Sequence, residues 1–161
     1  MTTTQVGRML DEEHRANLDL LSRMEQAIGR APAVTPQITR LLLEFAHAME
    51  HDIGRHFRFE EEQLFPRIAD AGDGAMASLL QEEHEAIREA AAELVPLARE
   101  AAAGSIDRRE CWDRLRLITL ELVERQVSHI QKETMALLPT LEDVLDPVTD
   151  GELALDYAAT A

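Results

Sequence analysis

Apolar residues recur along this chain at the three- and four-residue intervals of an α-helix, in four long stretches divided by turn signals. The first runs from about Thr4 to Ile28, with Leu10, His14, Leu18, Leu21 and Ile28 along one side. It is expected to stop at Gly29 and Ala31-Pro32-Ala33. Thr35 then reads as an N-cap, with Pro36 the first residue of a second helix reaching about Ala71. Leu42, Phe45, Met49, Ile53, His56 and Glu60 form its inner stripe, and Gly72-Asp73-Gly74 breaks it. The third stretch, from about Ala75 to Ala103, turns Leu80, His84, Ile87 and Leu94 inward, with a kink expected at Pro96. After Gly104-Ser105 the fourth starts near Asp107 and reaches about Leu138, with Leu115, Leu122, Gln126, His129, Glu133 and Leu137 facing in. Residues 1–146 are therefore expected to form one all-α domain, an antiparallel four-helix bundle running up-down-up-down. Residues 147–161 form an acidic C-terminal tail, either loose or folded as a short docked helix.

Composition sharpens this reading. Only 4% of the 161 residues are aromatic and Gly is scarce, which favours helix over strand. A formal net charge of −15 repels phosphate backbones and anionic lipid, so neither nucleic acid nor membrane is an expected partner. Cys111 stands alone, which excludes an internal disulfide and a thiolate metal cluster. The start, MTTTQVGRML, lacks the apolar core of a signal peptide, and no apolar run is long enough to span a bilayer. A cytoplasmic protein is expected.

The chemistry is written in a repeat. His56-Phe-Arg-Phe-Glu60 is followed by Leu64-Phe65-Pro66, and His129-Ile-Gln-Lys-Glu133 by Leu137-Leu138-Pro139 at the same offsets. Upstream, Leu10-Asp-Glu-Glu-His14 matches Leu80-Gln-Glu-Glu-His84. The lone His precedes its His–Glu pair by 42 residues in one half and 45 in the other. Two hairpins related by a pseudo-twofold axis would bring these groups together. Residues four apart on a helix differ by about 40° around its axis, so each His–Glu pair projects jointly. Four imidazoles and two carboxylates then converge on the core. Buried carboxylates without partners are costly, and a cation supplies charge and coordination at once. A lone core His is ordinarily a packed residue, and a lone H-x3-E is common on solvated faces; two matching copies of both point to a metal. The donor set of His14, His56, Glu60, His84, His129 and Glu133 suits a first-row metal, iron ahead of manganese or zinc.

Other residues serve as controls. His47 and His51 rotate about 180° and 140° from His56 and are expected at the surface, as are Glu61 and Glu62. Met9, Met24, Met49 and Met76 read as core or near-core filler. Cys111, 18 residues before His129 and so about 27 Å away along the helix, is out of reach of the site. Trp112 reads as a packing anchor. Tyr157, the single tyrosine, sits in the tail, and a tail folded back over one mouth of the bundle would offer its phenolate as a further candidate ligand.

These motifs resemble the hemerythrin-like (HHE cation-binding) family over roughly residues 5 to 140. The resemblance implies a four-helix bundle around a non-haem di-iron centre, oxo- or hydroxo-bridged, with His14, His56, Glu60, His84, His129 and Glu133 as ligands and the two glutamates bridging. Oxygen-carrying members use a fifth His from an H-x3-H pair on the third helix, where this chain has Leu80 and Arg88 around His84. They also favour Asp where this chain has Glu133. The four-His, two-Glu set is similar to that of di-iron proteins that repair iron–sulfur clusters, which carry an N-terminal cysteine segment not found here. The function so implied is reaction with O2, NO or H2O2 in oxidative or nitrosative stress, or iron supply to damaged clusters, with an electron donor or iron–sulfur protein as partner. The alternative is an oxygen- or iron-binding sensor without turnover. No hydrolytic nucleophile is evident, and the Glu-x-x-His signature of ferritin-like oxidases is absent, since Asp11, Gln81 and Gln126 stand three residues before His14, His84 and His129.

Overall fold

A computed structural model of the chain describes residues 3–30, 33–104 and 109–161. The expected turn at Ala31-Pro32, and the Ser105 and Asp107 boundaries, lie outside these residues. The described residues are helical throughout apart from short connections. Helix α1 spans Gln5–Arg30. Helix α2 covers residues 36–70, α3 Gly74–Ala102, α4 residues 109–144 and α5 Pro147–Ala159. Neighbouring pairs α1–α2, α2–α3, α3–α4 and α4–α1 pack against one another, and α5 lies on α1. No helix among the described residues is long and apolar enough to cross a membrane.

Local chemistry sets the boundaries. The Thr35 side chain accepts the Ile38 N–H at 3.2 Å, so α2 opens where the Thr-Pro pair indicates. Asp73 caps α3 in the same way, accepting from Met76 N–H at 3.2 Å. Between them Gly72 takes φ 108°, a conformation that only glycine adopts without strain, and this turns the chain. Pro96 lies on the exposed side of an unbroken α3.

The second and fourth helices depart from regular α geometry at matching places. Wide π turns occupy Glu60–Leu64 and Glu133–Leu137, each closed by a bond across five residues: Phe65 N–H to Glu60 O and Leu138 N–H to Glu133 O. Pro66 and Pro139 follow in the first turn of the next α segment, where a missing N–H costs little. The repeated L-[FL]-P is thus the resumption of the helix after a bulge. It carries α4 on to Val144, beyond the expected end at Leu138. A further π turn covers Ala48–Asp52.

The core is two apolar clusters with a polar layer between them. One gathers Leu21, Met24, Leu42, Phe45, Leu94, Trp112, Leu115 and Leu122 among others. The second contains Val6, Leu10, Leu64, Leu80, Leu137, Leu141, Leu153 and Tyr157. His14, His56, Glu60, His84, His129 and Glu133 lie in the chain between members of the two clusters, and all six are buried. Residues 147–159 take the docked alternative. Asp146 caps α5 by accepting the Thr149 N–H at 2.9 Å, and Leu153, Ala154 and Tyr157 are buried.

Candidate metal centre

Each helix from α1 to α4 delivers its part of the layer at the expected phase: His14 from α1, His56 and Glu60 from α2, His84 from α3, His129 and Glu133 from α4. The imidazoles pair off, with ring centroids 5.1 Å apart for His14 and His56 and 4.7 Å for His84 and His129. Nε2 of His84 is 3.0 Å from Nε2 of His129. Glu60 Oε1 lies 2.7 Å from His56 Nε2 and 3.9 Å from His84 Nε2, reaching from one pair to the other. Glu133 Oε1 does the same, touching His129 Nε2 and standing 3.9 Å from His14 Nε2. Among the described residues, two groups have ligand atoms within 4.8 Å of one another, His14–His56–Glu133 and His84–His129–Glu133, and Glu133 belongs to both.

Despite this closeness, His14 Nε2 and both oxygens of Glu60 and Glu133 are buried without a hydrogen bond. Buried carboxylates are seldom left so, because stripping their hydration costs several kcal/mol or more. Buried carboxylate oxygens left so, crowded by imidazole nitrogens, are what a cation between them would satisfy. The residues present fit a metal.

The outward nitrogens are all engaged. Nδ1 of His56 is 2.8 Å from Glu13 Oε2, Nδ1 of His84 is 2.6 Å from Glu61 Oε2, and Nδ1 of His129 is 2.8 Å from Glu83 Oε1. Nδ1 of His14 is 3.3 Å from Thr134 Oγ1. Such partners fix the tautomer and present Nε2 to the interior, the usual second layer of a metal site. Sequence reasoning missed them. Their signal was the repeat itself: in Glu-His at 13–14 and at 83–84 the Glu serves the ring on the neighbouring helix. The residues after the two inner glutamates, Glu61 and Thr134, serve the rings of α3 and α1.

Glu61 corrects an expectation. Placed at the surface by α-helical phase, it is instead part-buried between His84 and Arg88, whose Nη1 lies 2.8 Å from Glu61 Oε2. A position about 140° from His56 is the flank of α2, and in this bundle that flank meets His84 and Arg88 of α3 rather than solvent. Glu62, His47 and His51 are exposed as expected. Tyr157 is not among the converging donors. Its hydroxyl donates to Glu13 Oε2 at 2.5 Å, and burial together with that carboxylate raises its pKa well above the ordinary phenol range.

Charge within the layer is uneven. Burial, with His56 and His129 nearby, lowers the His14 pKa to about 3, and burial likewise holds His84 well below its usual value. Burial also lowers His129, though Glu60 and Glu83 oppose it. For His56 burial is outweighed by Glu60 and Glu13, which raise it to about 9. In the metal-free layer, therefore, a proton settles beside Glu60. Phe57 stacks on His84 with centroids 3.6 Å apart, closing that side with an apolar ring. A cavity of about 420 Å³ reaches the layer between α1, α2 and α4, lined by His14, Asn17, Leu20, Ile53, His56 and Gln126 among others. His47 lies at this cavity even though it is exposed.

The fold and the layer define an all-helical protein with His/Glu groups that could hold a metal cation. The model of the Hemerythrin HHE cation binding domain matches residues 6–141, and the chain belongs to that family. No curated protein matches the chain.

Proposed function

We propose that the chain is a non-haem two-iron protein of the cytoplasm that reacts with O2, NO or H2O2 in oxidative or nitrosative stress or in the repair of iron–sulfur clusters. Its helices α1 to α4 would run alternately up and down around the metals. His14 and His56 would hold one iron, His84 and His129 the other, with Glu60 and Glu133 bridging. The observation that carries this reading is the pair of His–His–Glu groups sharing Glu133, with two imidazole donors on each side and only oxygen and nitrogen offered. Two such ions supply paired one-electron chemistry, with coordination positions free for a small molecule.

The chain's own residues shape that chemistry. The cavity beside His14 and His56 gives a small molecule a route to the layer. The stacked Phe57 keeps solvent from the His84 side. Outer carboxylates raise the donor strength of three of the rings. Leu80 and Arg88 supply no fifth imidazole next to His84, and fewer imidazole donors favour oxidation over reversible oxygen carriage.

Elemental analysis and absorption spectra of anaerobically reduced protein, before and after air, test the proposal. Two irons per chain and a near-ultraviolet band that grows in air and persists under vacuum support it. A band that reverses on removing oxygen favours the binding protein without turnover. Zinc, or a single metal, refutes the two-iron reading.

A further inference from the structure

Helix α5 lies beyond the residues matched by the family, yet it is fastened to the metal layer. Tyr157, 2% exposed, donates its hydroxyl to Glu13 Oε2 at 2.5 Å, and the same oxygen lies 2.8 Å from His56 Nδ1. Arg55, the residue before His56, completes the arrangement. Its Nη1 donates to Glu13 Oε1 at 3.0 Å, its Nη2 to the Tyr157 carbonyl at 2.6 Å and its Nε to Thr160 Oγ1 at 2.6 Å. Its guanidinium also lies over the Tyr157 ring, 3.8 Å from the centroid. At the far end of α5, Asp150 accepts the N–H groups of Gln5 at 2.8 Å and Val6 at 2.9 Å, capping α1. Thus α5 grips α1 at its first turn and again at Glu13.

Among the described residues, the other half of the bundle has no such clasp. Glu83, the counterpart of Glu13, is held from outside by Lys132, whose side chain is 46% exposed. An exposed ammonium is hydrated and loosely placed, whereas a buried phenol and a stacked guanidinium fix both oxygens of Glu13. A carboxylate held at both oxygens holds its imidazole in turn.

We propose that α5 is a clasp for one half of the metal centre, with Tyr157 a positioning residue that acts through Glu13 to keep His56 aimed at the metal it shares with His14. This inference rests on the two-metal reading. Its consequence is unequal retention: loosening α5 releases the metal of the His14–His56 half and leaves the His84–His129 half alone.

The test uses full-length protein loaded with Co2+, followed by its visible absorption during competition with a chelator. The two halves are separated by working in His84→Ala, which leaves the His14–His56 half, and in His14→Ala, which leaves the other. Tyr157→Phe keeps the ring and removes only the hydroxyl. It is expected to weaken Co2+ retention about 10-fold in the His84→Ala background and to change it less than about twofold in the His14→Ala background, the scale of an outer-layer partner. Adding Tyr157→Phe to Glu13→Gln should cost nothing further, because both act on one path. Asp150→Asn, which loosens α5 with Tyr157 intact, should weaken the same half by a smaller factor. Equal weakening of both halves, additive effects of Tyr157→Phe and Glu13→Gln, or no effect of either α5 variant overturns the clasp. Parent protein that takes up no Co2+ overturns the metal reading first, and the clasp with it.

Discussion

Glu83 Oε1 stands 2.8 Å from Nδ1 of His129, a ring on the next helix, while the residue after Glu83 sends its own ring to the same place: His84 Nε2 is 3.0 Å from His129 Nε2. One dipeptide thus supplies a candidate ligand and the support of the ligand opposite. Glu13-His14 repeats the device with His56. Adjacent helix positions differ by about 100°, so one side chain points to the centre while its neighbour meets the flank of the adjoining helix.

Glu83→Gln follows directly. The amide keeps the shape but removes the charge that strengthens His129 as a donor, so metal affinity of the His84–His129 half should fall about 10- to 100-fold. Glu82, its exposed neighbour, provides the control: Glu82→Gln should change affinity by less than about twofold. Calorimetric titration with Zn2+ measures both, and equal effects would reduce Glu83 to a surface charge.

Glu133 belongs to both His–His–Glu groups, and Glu60 does not. Glu133→Ala should therefore abolish binding of both ions, while Glu60→Ala weakens both and retains some metal. His51→Ala, at an exposed ring, should leave metal content unchanged. Elemental analysis after gel filtration decides, and two metals retained by Glu133→Ala would end its bridging role.

Much of this was legible in the sequence. Helical periodicity located α1 to α4, because their inner stripes need only an apolar residue every three or four positions. The six converging donors were legible because two copies of one motif constrain each other. The outer carboxylates were not, since an acidic residue beside a His looks the same whether it faces solvent or a neighbouring ring. Glu61 was misplaced because a phase about 140° from His56 was equated with solvent, whereas that flank of α2 packs against His84 and Arg88 of α3. The tail was ambiguous between loose and docked: its buried face is Leu153, Ala154 and Tyr157, too short a stripe to declare itself without the partners on α1 and α2.

Glu61 and Thr134 occupy equivalent places in the two halves but differ in kind. Glu61 approaches His84 Nδ1 at 2.6 Å, whereas Thr134 Oγ1 is 3.3 Å from His14 Nδ1. One half thus has carboxylates behind both rings and the other behind only one. Metal should enter stepwise, the His84–His129 half first, with affinities separated by about 10-fold or more. Thr134→Glu should narrow the gap and Glu61→Thr should close or reverse it. Two resolved steps in a Co2+ titration would collapse toward one, and a single step in the parent protein would mean that the two halves are equivalent.

The metal-free layer sets the last expectation, a stability that falls on both sides of neutrality. His14, lowered from 6.5 to about 3, and the lowered His84 and His129 are neutral in the folded chain while the unfolded chain takes up protons below pH 6.5. Stability from the His14 ring is full above pH 6.5 and is lost as pH falls from there toward about 3, at up to about 1.4 kcal/mol per pH unit, and His84 and His129 act in the same direction. His56 has the opposite sign. With its pKa raised from 6.5 to about 9, it stabilises the folded chain below pH 6.5, and that contribution is lost as pH rises to about 9. Urea melts of chelator-treated protein should therefore show greatest stability near pH 6.5, with a steeper fall on the acid side, where three rings act, than on the alkaline side, where one does. Loading the metal replaces the His56 proton, so the alkaline fall should disappear in the loaded protein while the acid fall deepens as protons compete for the ligands. A metal-free protein whose stability rises steadily from pH 5 to pH 9 would show that His56 carries no proton in the folded chain.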